Sequence, residues 1–262
     1  MSEINVTVIT GAGISAESGI PTFRGPEGYW TVGSREYHPQ EMATYAMFCN
    51  HPDEVWMWYL YRSEVCKNAK PNAGHYTLVE MEIDLQDRFR LITQNVDGLH
   101  LVAGNSMERT YQIHGNVFYM RCVDDCQISI YPLPLDILPR DKKQTLSQLD
   151  KDKLACPDCH GRTRPHVLWF DEMYNEHYFK FDSAMNCASK TDLLIIAGTS
   201  GATTLPNHVA NTVLNLGKPI IDINIEKNPF SEMARQSVGG RFIQTSCSQG
   251  LQEIHDYLKE HY

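Results

Sequence analysis

Four of the chain's 8 cysteines stand in two close pairs, Cys122-x3-Cys126 and Cys156-x2-Cys159. Thiolates at such spacings, brought together by a fold, make a tetrahedral zinc site. Four of them leave no open position, so a bound metal is expected to be structural. A different chemistry lies near the N-terminus, where Ile9-Thr-Gly11-Ala12-Gly13-Ile-Ser15-Ala16-Glu17 reads as a strand entering a Gly-rich turn and then a helix. Glycines there let backbone amides approach a phosphate, and the start of a helix adds donors and a positive dipole end. This is the looser form of a dinucleotide fingerprint, with Ala16 where a third glycine often stands. No acidic residue closes a second strand about 20 positions later, as the ordinary fingerprint asks. A tight strand-to-helix turn without a ligand is the competing reading.

Four further groups carry candidate chemistry. Gln94, Asn95 and Asp97 follow the apolar run Phe89–Thr93. At the carboxyl end of a strand they could grip a carboxamide or ribose hydroxyls, though an Asn/Asp-Gly turn explains them equally well. His114 is a general-base candidate, because imidazole takes a proton near neutral pH; a structural histidine is the alternative. Gly198-Thr199-Ser200-Gly201 forms a second Gly-rich turn after an apolar run, and Asn224-Ile-Glu226 ends another. Glu226 at a strand end is a natural partner for ribose hydroxyls.

These groups need elements to hold them. Short, near-continuous apolar runs recur at Ile4–Thr10, Phe89–Thr93, Asp192–Ala197, Pro219–Ile225 and Arg241–Gln244, as expected of parallel strands covered on both faces. Helix-like stretches alternate with them at Tyr76–Leu85, Asn207–Leu216 and Leu251–Leu258, the last with apolar residues at i, i+3 and i+7. The alternation predicts βαβ units and an open α/β sheet. Pro26–Met42 reads as a long loop before a helix starting near Pro52, and Cys122–His160 as a small inserted module.

With 262 residues, 42% hydrophobic and 21% charged, the chain is an ordinary globule of one large domain or a domain with an appendage. The net charge of −9 argues against broad nucleic-acid binding. No apolar run reaches the roughly 18 residues of a membrane span, and no basic-then-apolar leader opens the sequence. The expectation is a cytoplasmic protein, its thiols reduced.

In their order, these segments resemble the sirtuin family: residues 11–25, 93–100, His114-Gly115, the two cysteine pairs, 164–170, 198–200 and 224–226. The match runs over essentially the whole chain. The resemblance implies a Rossmann-like parallel-sheet domain (1–25, 75–114 and 171–262) with an inserted smaller zinc-ribbon and helical module (26–74 and 115–170). It implies NAD in the cleft between them and NAD-consuming removal of acyl groups from lysine. The acyl oxygen attacks C1′ of the nicotinamide ribose and nicotinamide leaves. Carried over by motif, His114 is the base on a ribose hydroxyl, and Gln94, Asn95 and Asp97 attend the nicotinamide end. Gly11, Ala12, Gly13, Ser15, Ala16, Glu17, Thr22, Phe23 and Arg24 form the loop that holds the phosphates and caps the ribose. Gly198, Thr199, Ser200, Asn224, Glu226 and Cys247 line the rest of the cofactor. Leu168, Phe170 and Glu172 are substrate-binding, the last two lying just after the peptide-binding strand, and the partners are acyl-lysine proteins or peptides met by a monomer.

Val55–Val65 is similar to the acyl-pocket helix of class III sirtuins, the lysine desuccinylases, through Tyr59-x-x-Arg62. Residues at i and i+3 share a helix face, and a guanidinium beside a phenol can bind a carboxylate by charge-assisted hydrogen bonds. That suits succinyl-, malonyl- or glutaryl-lysine. The chain departs from the family where Phe170-Asp171-Glu172 replaces the usual Phe-Gly-Glu, in the long Tyr29–Met42 stretch and in the 127–155 insert. A mono-ADP-ribosyltransferase and a non-catalytic NAD or ADP-ribose sensor are the alternatives.

Overall fold

The computed structural model describes residues 4–21, 30–32, 35–134, 136–137 and 145–261. In chain order its strands are β1 (Val6–Thr10), β2 (Trp30–Val32), β3 (Arg35–Tyr37), β4 (Phe89–Thr93), β5 (Thr110–Gln112), β6 (Gly115–Cys122), β7 (Ile130–Pro132), β8 (Thr163–Val167), β9 (Leu193–Ala197), β10 (Ile220–Asn224) and β11 (Arg241–Gln244). The helices are α1 (Ala12–Ala16), α2 (Pro39–Met42), α3 (Tyr45–Asn50), α4 (Pro52–Asn68), α5 (Ala73–Leu85), α6 (Leu99–Ala103), α7 (Gln148–Lys153), α8 (Glu176–Phe179), α9 (Phe181–Lys190), α10 (Thr204–Asn215), α11 (Pro229–Gln236) and α12 (Cys247–His261). Among the described residues, no helix is long and apolar enough to cross a membrane.

Six strands pair in parallel in the order β11-β10-β9-β1-β4-β5. The apolar runs are near-continuous because both sheet faces are covered, and alternate residues divide between two cores. Val6, Val8, Phe89, Leu91, Leu193 and Ile195 pack with Leu78 and Met81 of α5 and Leu251 and Ile254 of α12. Ile9, Ile92, Leu194 and Ile196 pack with Ala184 of α9, Val209 and Val213 of α10 and Phe230 of α11. The strand order reverses between β1 and β9. The chain therefore leaves these neighbours in opposite directions and opens a crevice beyond their carboxyl ends.

A second sheet, β7-β6-β8, is antiparallel. It meets α4 and α3 through a third core containing Trp56, Trp58, Tyr59, Val117, Met120 and Trp169. Helix α4 is buried continuously from Val55 to Leu60, because it is wrapped on several sides. Trp56 ties it to the sheet by donating its indole N–H to the Thr163 carbonyl at 3.1 Å. Pro26–Met42, read as a loop, contains the antiparallel pair β2/β3 and the short α2. Its three-residue strands are too short to carry a readable alternation.

Asp171, the residue standing where the family has glycine, has a local task. Its carboxylate accepts the backbone N–H of Tyr45 (2.7 Å) and of Ala46 (3.1 Å) at the start of α3. Thr44 takes the next donor, from Met47. First-turn amides have no partner inside the helix, so these acceptors anchor the 168–174 loop to α3. Asp171→Ala is expected to cost about 0.5–2 kcal/mol, a fall in melting temperature of a few degrees. An unchanged melting temperature would show the cap to be inert.

Candidate active site

The crevice is built from glycines that no other residue could replace. Gly11 donates its N–H to the Ala197 carbonyl (3.0 Å) and Gly13 to the Gly198 carbonyl (2.7 Å). The two Gly-rich turns are thereby locked face to face. Gly198 has φ +67°, and a Cβ there would stand 2.6 Å from the Ile14 nitrogen and 2.8 Å from Cys247 Sγ. Neither the conformation nor the space admits a side chain. Cys247, expected along the cofactor, is buried at the base of this contact.

Amide side chains brace the floor. Asn95 Nδ2 donates to the Gly11 carbonyl (3.0 Å) and to Ser15 Oγ (2.9 Å). Gln94 Nε2 donates to Thr199 Oγ1 (2.8 Å), and Thr203 Oγ1 donates to Gln94 Oε1 (2.7 Å). Asn224 Nδ2 donates to the Thr199 carbonyl (2.8 Å). Asp97 is buried and accepts the Leu99 N–H at 2.9 Å. Burial pushes its carboxyl pKa up, while the Leu99 amide, Ser15 and the Arg62 guanidinium pull the other way. Residues 94–97, 198–200 and 224 thus meet the 11–15 turn in one place.

His114 follows β5 and is tied to the same site through Gln94. Its Nδ1 lies 3.0 Å from the Gln94 carbonyl oxygen. A carbonyl only accepts, so Nδ1 carries the proton and Nε2 presents a lone pair. The packing around the ring pushes its pKa down to about 4, against a smaller upward pull from the Gln94 carbonyl. The imidazole is therefore neutral at pH 7 and able to accept a proton. Nε2 lies 2.7 Å from the Tyr174 hydroxyl, a contact that no motif announced.

A small cleft opens beside Asn95 and Asp97, walled by Ala12, Ser15, Ile20, Pro21, Arg62, Cys66 and Val96. Arg62 reaches this wall from α4. Tyr59, expected to act with it, is buried, and its hydroxyl accepts the Trp169 indole N–H at 2.9 Å. Glu172 is engaged internally. It pairs with Arg164, accepts the Trp169 backbone N–H at 2.9 Å and lies 3.8 Å from Arg121. The Arg164 guanidinium in turn stacks 3.5 Å from the Trp169 ring. Leu168 donates its N–H to the His114 carbonyl (3.0 Å), and Phe170 is exposed.

Other expected residues are more peripheral. Ala16, Glu17, Ser200 and Glu226 are exposed, and Glu17 accepts the Ser248 N–H (3.2 Å) in the first turn of α12. Thr22, Phe23 and Arg24 lie outside the described residues.

The two cysteine pairs converge. Cys122 Sγ lies 3.7 Å from Cys159 Sγ and Cys126 Sγ 3.6 Å from Cys156 Sγ, with all four within 4.8 Å of one another. Tetrahedral zinc at its usual distance of about 2.3 Å to sulfur requires sulfur–sulfur edges of about 3.8 Å. The four thiols fit that ion.

Sequence reasoning missed Tyr174 and Thr203. Nothing local marks either; they matter through contacts with His114 and Gln94, 60 and 109 residues away.

A family model described as the Sir2 family matches residues 11–204. An NAD-dependent protein deacylase of Leptospira interrogans (serovar Lai) is 39% identical over 227 residues, covering 86% of this chain and 83% of that protein. The NAD-dependent protein deacylase of Aquifex aeolicus is 35% identical over 266 residues, covering 100% of this chain and 98% of that one. Among solved structures, a Sir2 homolog–NAD complex aligns with a TM-score of 0.77 at 30% identity, covering 97% of this chain and 89% of the other. A mutant Sir2 homologue in complex with 2′-O-acetyl ADP-ribose aligns with a TM-score of 0.77 at 32% identity, over 97% of this chain and 92% of the other.

Proposed function

We propose, on the premise that this chain belongs to the Sir2 family, that its cleft removes acidic acyl groups (succinyl, malonyl or glutaryl) from protein lysines at the expense of NAD. At the coarser level the chain is an NAD-dependent protein-lysine deacylase that uses NAD and holds a structural zinc. In this reading NAD supplies a ribose C1′ carrying nicotinamide as its leaving group. The 11–15 turn, with Thr199, Ser200, Asn224 and Glu226, holds the dinucleotide, and Asn95 and Asp97 orient its nicotinamide end. His114 Nε2 takes a proton from a ribose hydroxyl. Ile20, Cys66 and Val96 exclude water from the cleft. The carbonyls of Leu168 and Phe170, whose N–H groups are donated to His114 and Ala43, receive the peptide, and the ion pair of Glu172 with Arg164 stiffens that edge. Residues 26–74 and 115–170 act as one module. A chain with these reduced thiols suits the cytoplasm.

The observation that carries the acidic preference is Arg62, a guanidinium on the wall of the cleft that holds Asn95 and Asp97. A carboxylate on the acyl chain meets it by charge-assisted hydrogen bonds. Tyr59 contributes by fixing Trp169 through its hydroxyl and, on the same helix face, by framing Arg62. The test compares kcat/KM for succinyl- and acetyl-lysine forms of one peptide, in the wild type and in Arg62→Met. Truncating one partner of a buried charge pair costs roughly 2–5 kcal/mol. Desuccinylation should therefore fall at least about thirtyfold, with deacetylation unaffected or improved. A wild type that prefers acetyl-lysine, or an Arg62→Met enzyme that desuccinylates normally, overturns the acidic preference and leaves the deacylase assignment intact.

A further inference from the structure

Tyr174 lies in the loop between β8 and α8, immediately before Asn175, which caps α8 by accepting the Tyr178 N–H at 2.9 Å. Its ring packs on Phe181 (centroids 6.4 Å apart) and beside the His114 ring (5.8 Å). Its hydroxyl lies 2.7 Å from His114 Nε2. Because Nδ1 already donates to Gln94, Nε2 is an acceptor and the tyrosine O–H is the donor. The tyrosine oxygen in turn faces the Thr203 hydroxyl and the Leu205 backbone N–H. Thr203 donates to the side-chain oxygen of the same Gln94 whose carbonyl holds Nδ1. Tyr174, His114, Gln94 and Thr203 are thus linked in one hydrogen-bonded chain.

We propose that the Tyr174 hydroxyl is a removable cap on His114, standing where a ribose hydroxyl must bind, so that the free enzyme keeps its base in the working tautomer and cofactor entry exchanges one O–H donor for another. The inference rests on His114 being the base. Nε2 has one lone pair and accepts one hydrogen bond at a time, so Tyr174 and a ribose hydroxyl exclude each other there. The exchange is small, because one O–H donor replaces another on the same lone pair. Tyr174 retains its own proton throughout; burial pushes its pKa up to about 12. The His114 surroundings add no competing charge. Gln94 from the end of β4 faces it with a carbonyl, the 168–174 loop with Leu168 and Tyr174, and the start of α10 with Thr203. Burial depresses its pKa against a smaller upward pull from the Gln94 carbonyl, with no ionised neighbour among the causes. Tyr174 is therefore a positioning residue that acts through His114.

The experiment is the pH dependence of kcat/KM for NAD and of kcat, in the wild type, Tyr174→Phe and His114→Ala. The first profile reports groups of the free enzyme and the second those of the bound complex. A donor on Nε2 stabilises the neutral ring. Tyr174→Phe should therefore raise the acid limb of kcat/KM by about half a pH unit to one unit, the size of one hydrogen bond. The acid limb of kcat should stay in place, because the ribose hydroxyl has replaced the cap in the complex. KM for NAD should fall a few-fold, since the cofactor no longer competes with the phenol. Any other pattern, including equal shifts of both limbs or none, overturns the cap. Wild-type turnover in His114→Ala would instead overturn the base itself. Should the Phe variant fail to fold, the wild-type enzyme with 13Cζ-labelled tyrosine answers the question. Saturating ADP-ribose should move the Tyr174 resonance, and an unmoved resonance overturns the proposal.

Discussion

Substitution of His114 by alanine is expected to lower kcat for lysine deacylation by about 10²–10⁴-fold, the usual worth of a positioned general base. ADP-ribose should still bind. The two effects separate because the groups lie on different parts of the crevice. In the proposed reading the dinucleotide rests on the 11–13 turn locked to Ala197 and Gly198, on Thr199 and on Asn224, none of which His114 braces with its ring. The pH dependence has a definite sign. With its pKa pushed down to about 4, the imidazole loses its base form only as pH falls through that region, so the acid limb of the free enzyme lies below the 6.5 of an ordinary histidine. The same depression costs the fold stability in acid. Between pH 6.5 and 4 the unfolded chain binds a proton that the folded chain refuses, so stability declines over that window as pH falls. His75, also lowered to about 4 by burial, adds to the decline. Steady-state kinetics with an acyl-lysine peptide and calorimetry with ADP-ribose check the prediction. An alanine variant within tenfold of wild-type kcat would remove His114 from the chemistry.

What the sequence disclosed followed from how each feature is encoded. The core strands of the parallel sheet were readable because burial on both faces leaves an uninterrupted apolar run, as in Leu193–Ala197. Strand β8 was not, because Thr163-Arg-Pro-His-Val167 has the composition of a loop. Among the described residues it is an edge strand paired with β6 alone, where the absent N–H of Pro165 is tolerated, and Arg164 is satisfied by Glu172 and the Trp169 ring. Strand β6 hid its period because its register with β8 shifts between Gly115 and Met120. In the site, glycines, amides and cysteines carried their chemistry in their spacing. Tyr174 is one of 13 tyrosines and gains significance only where the fold sets it on Nε2. Tyr59 and Asp171 were visible as residues, but their partners Trp169 and α3 were not, since both contacts span more than 100 positions.

Loss of one zinc ligand, as in Cys159→Ser, is expected to release the metal, unfold the antiparallel sheet and stop turnover. The thiols come from two segments that flank the β6–β8 ladder at its end. Cys122 ends β6, Cys126 lies in the turn after it, and Cys156 and Cys159 precede β8. Cys126 and Cys159 are exposed while Cys122 and Cys156 are buried, so the cluster lies at the margin of the core that holds Met120 and Leu154. A metal therefore supplies cohesion that burial does not. Structural zinc in small domains contributes on the order of 10 kcal/mol of binding energy at neutral pH, and that energy is folding energy. The consequence for chemistry runs along β8. From the cysteines the strand leads to Val167, after which Leu168 holds the His114 carbonyl and Trp169 holds Tyr59. A slack β8 loosens the base and the Arg62 wall together. The parallel sheet, with its separate cores on either face, should stay folded and keep its affinity for ADP-ribose. Elemental analysis should find one zinc per wild-type chain and none in Cys159→Ser. The variant should show an early unfolding step and kcat reduced to background, with ADP-ribose affinity near normal. A metal-free protein that unfolds in one late step and turns over normally would show that the four thiols hold nothing the fold requires.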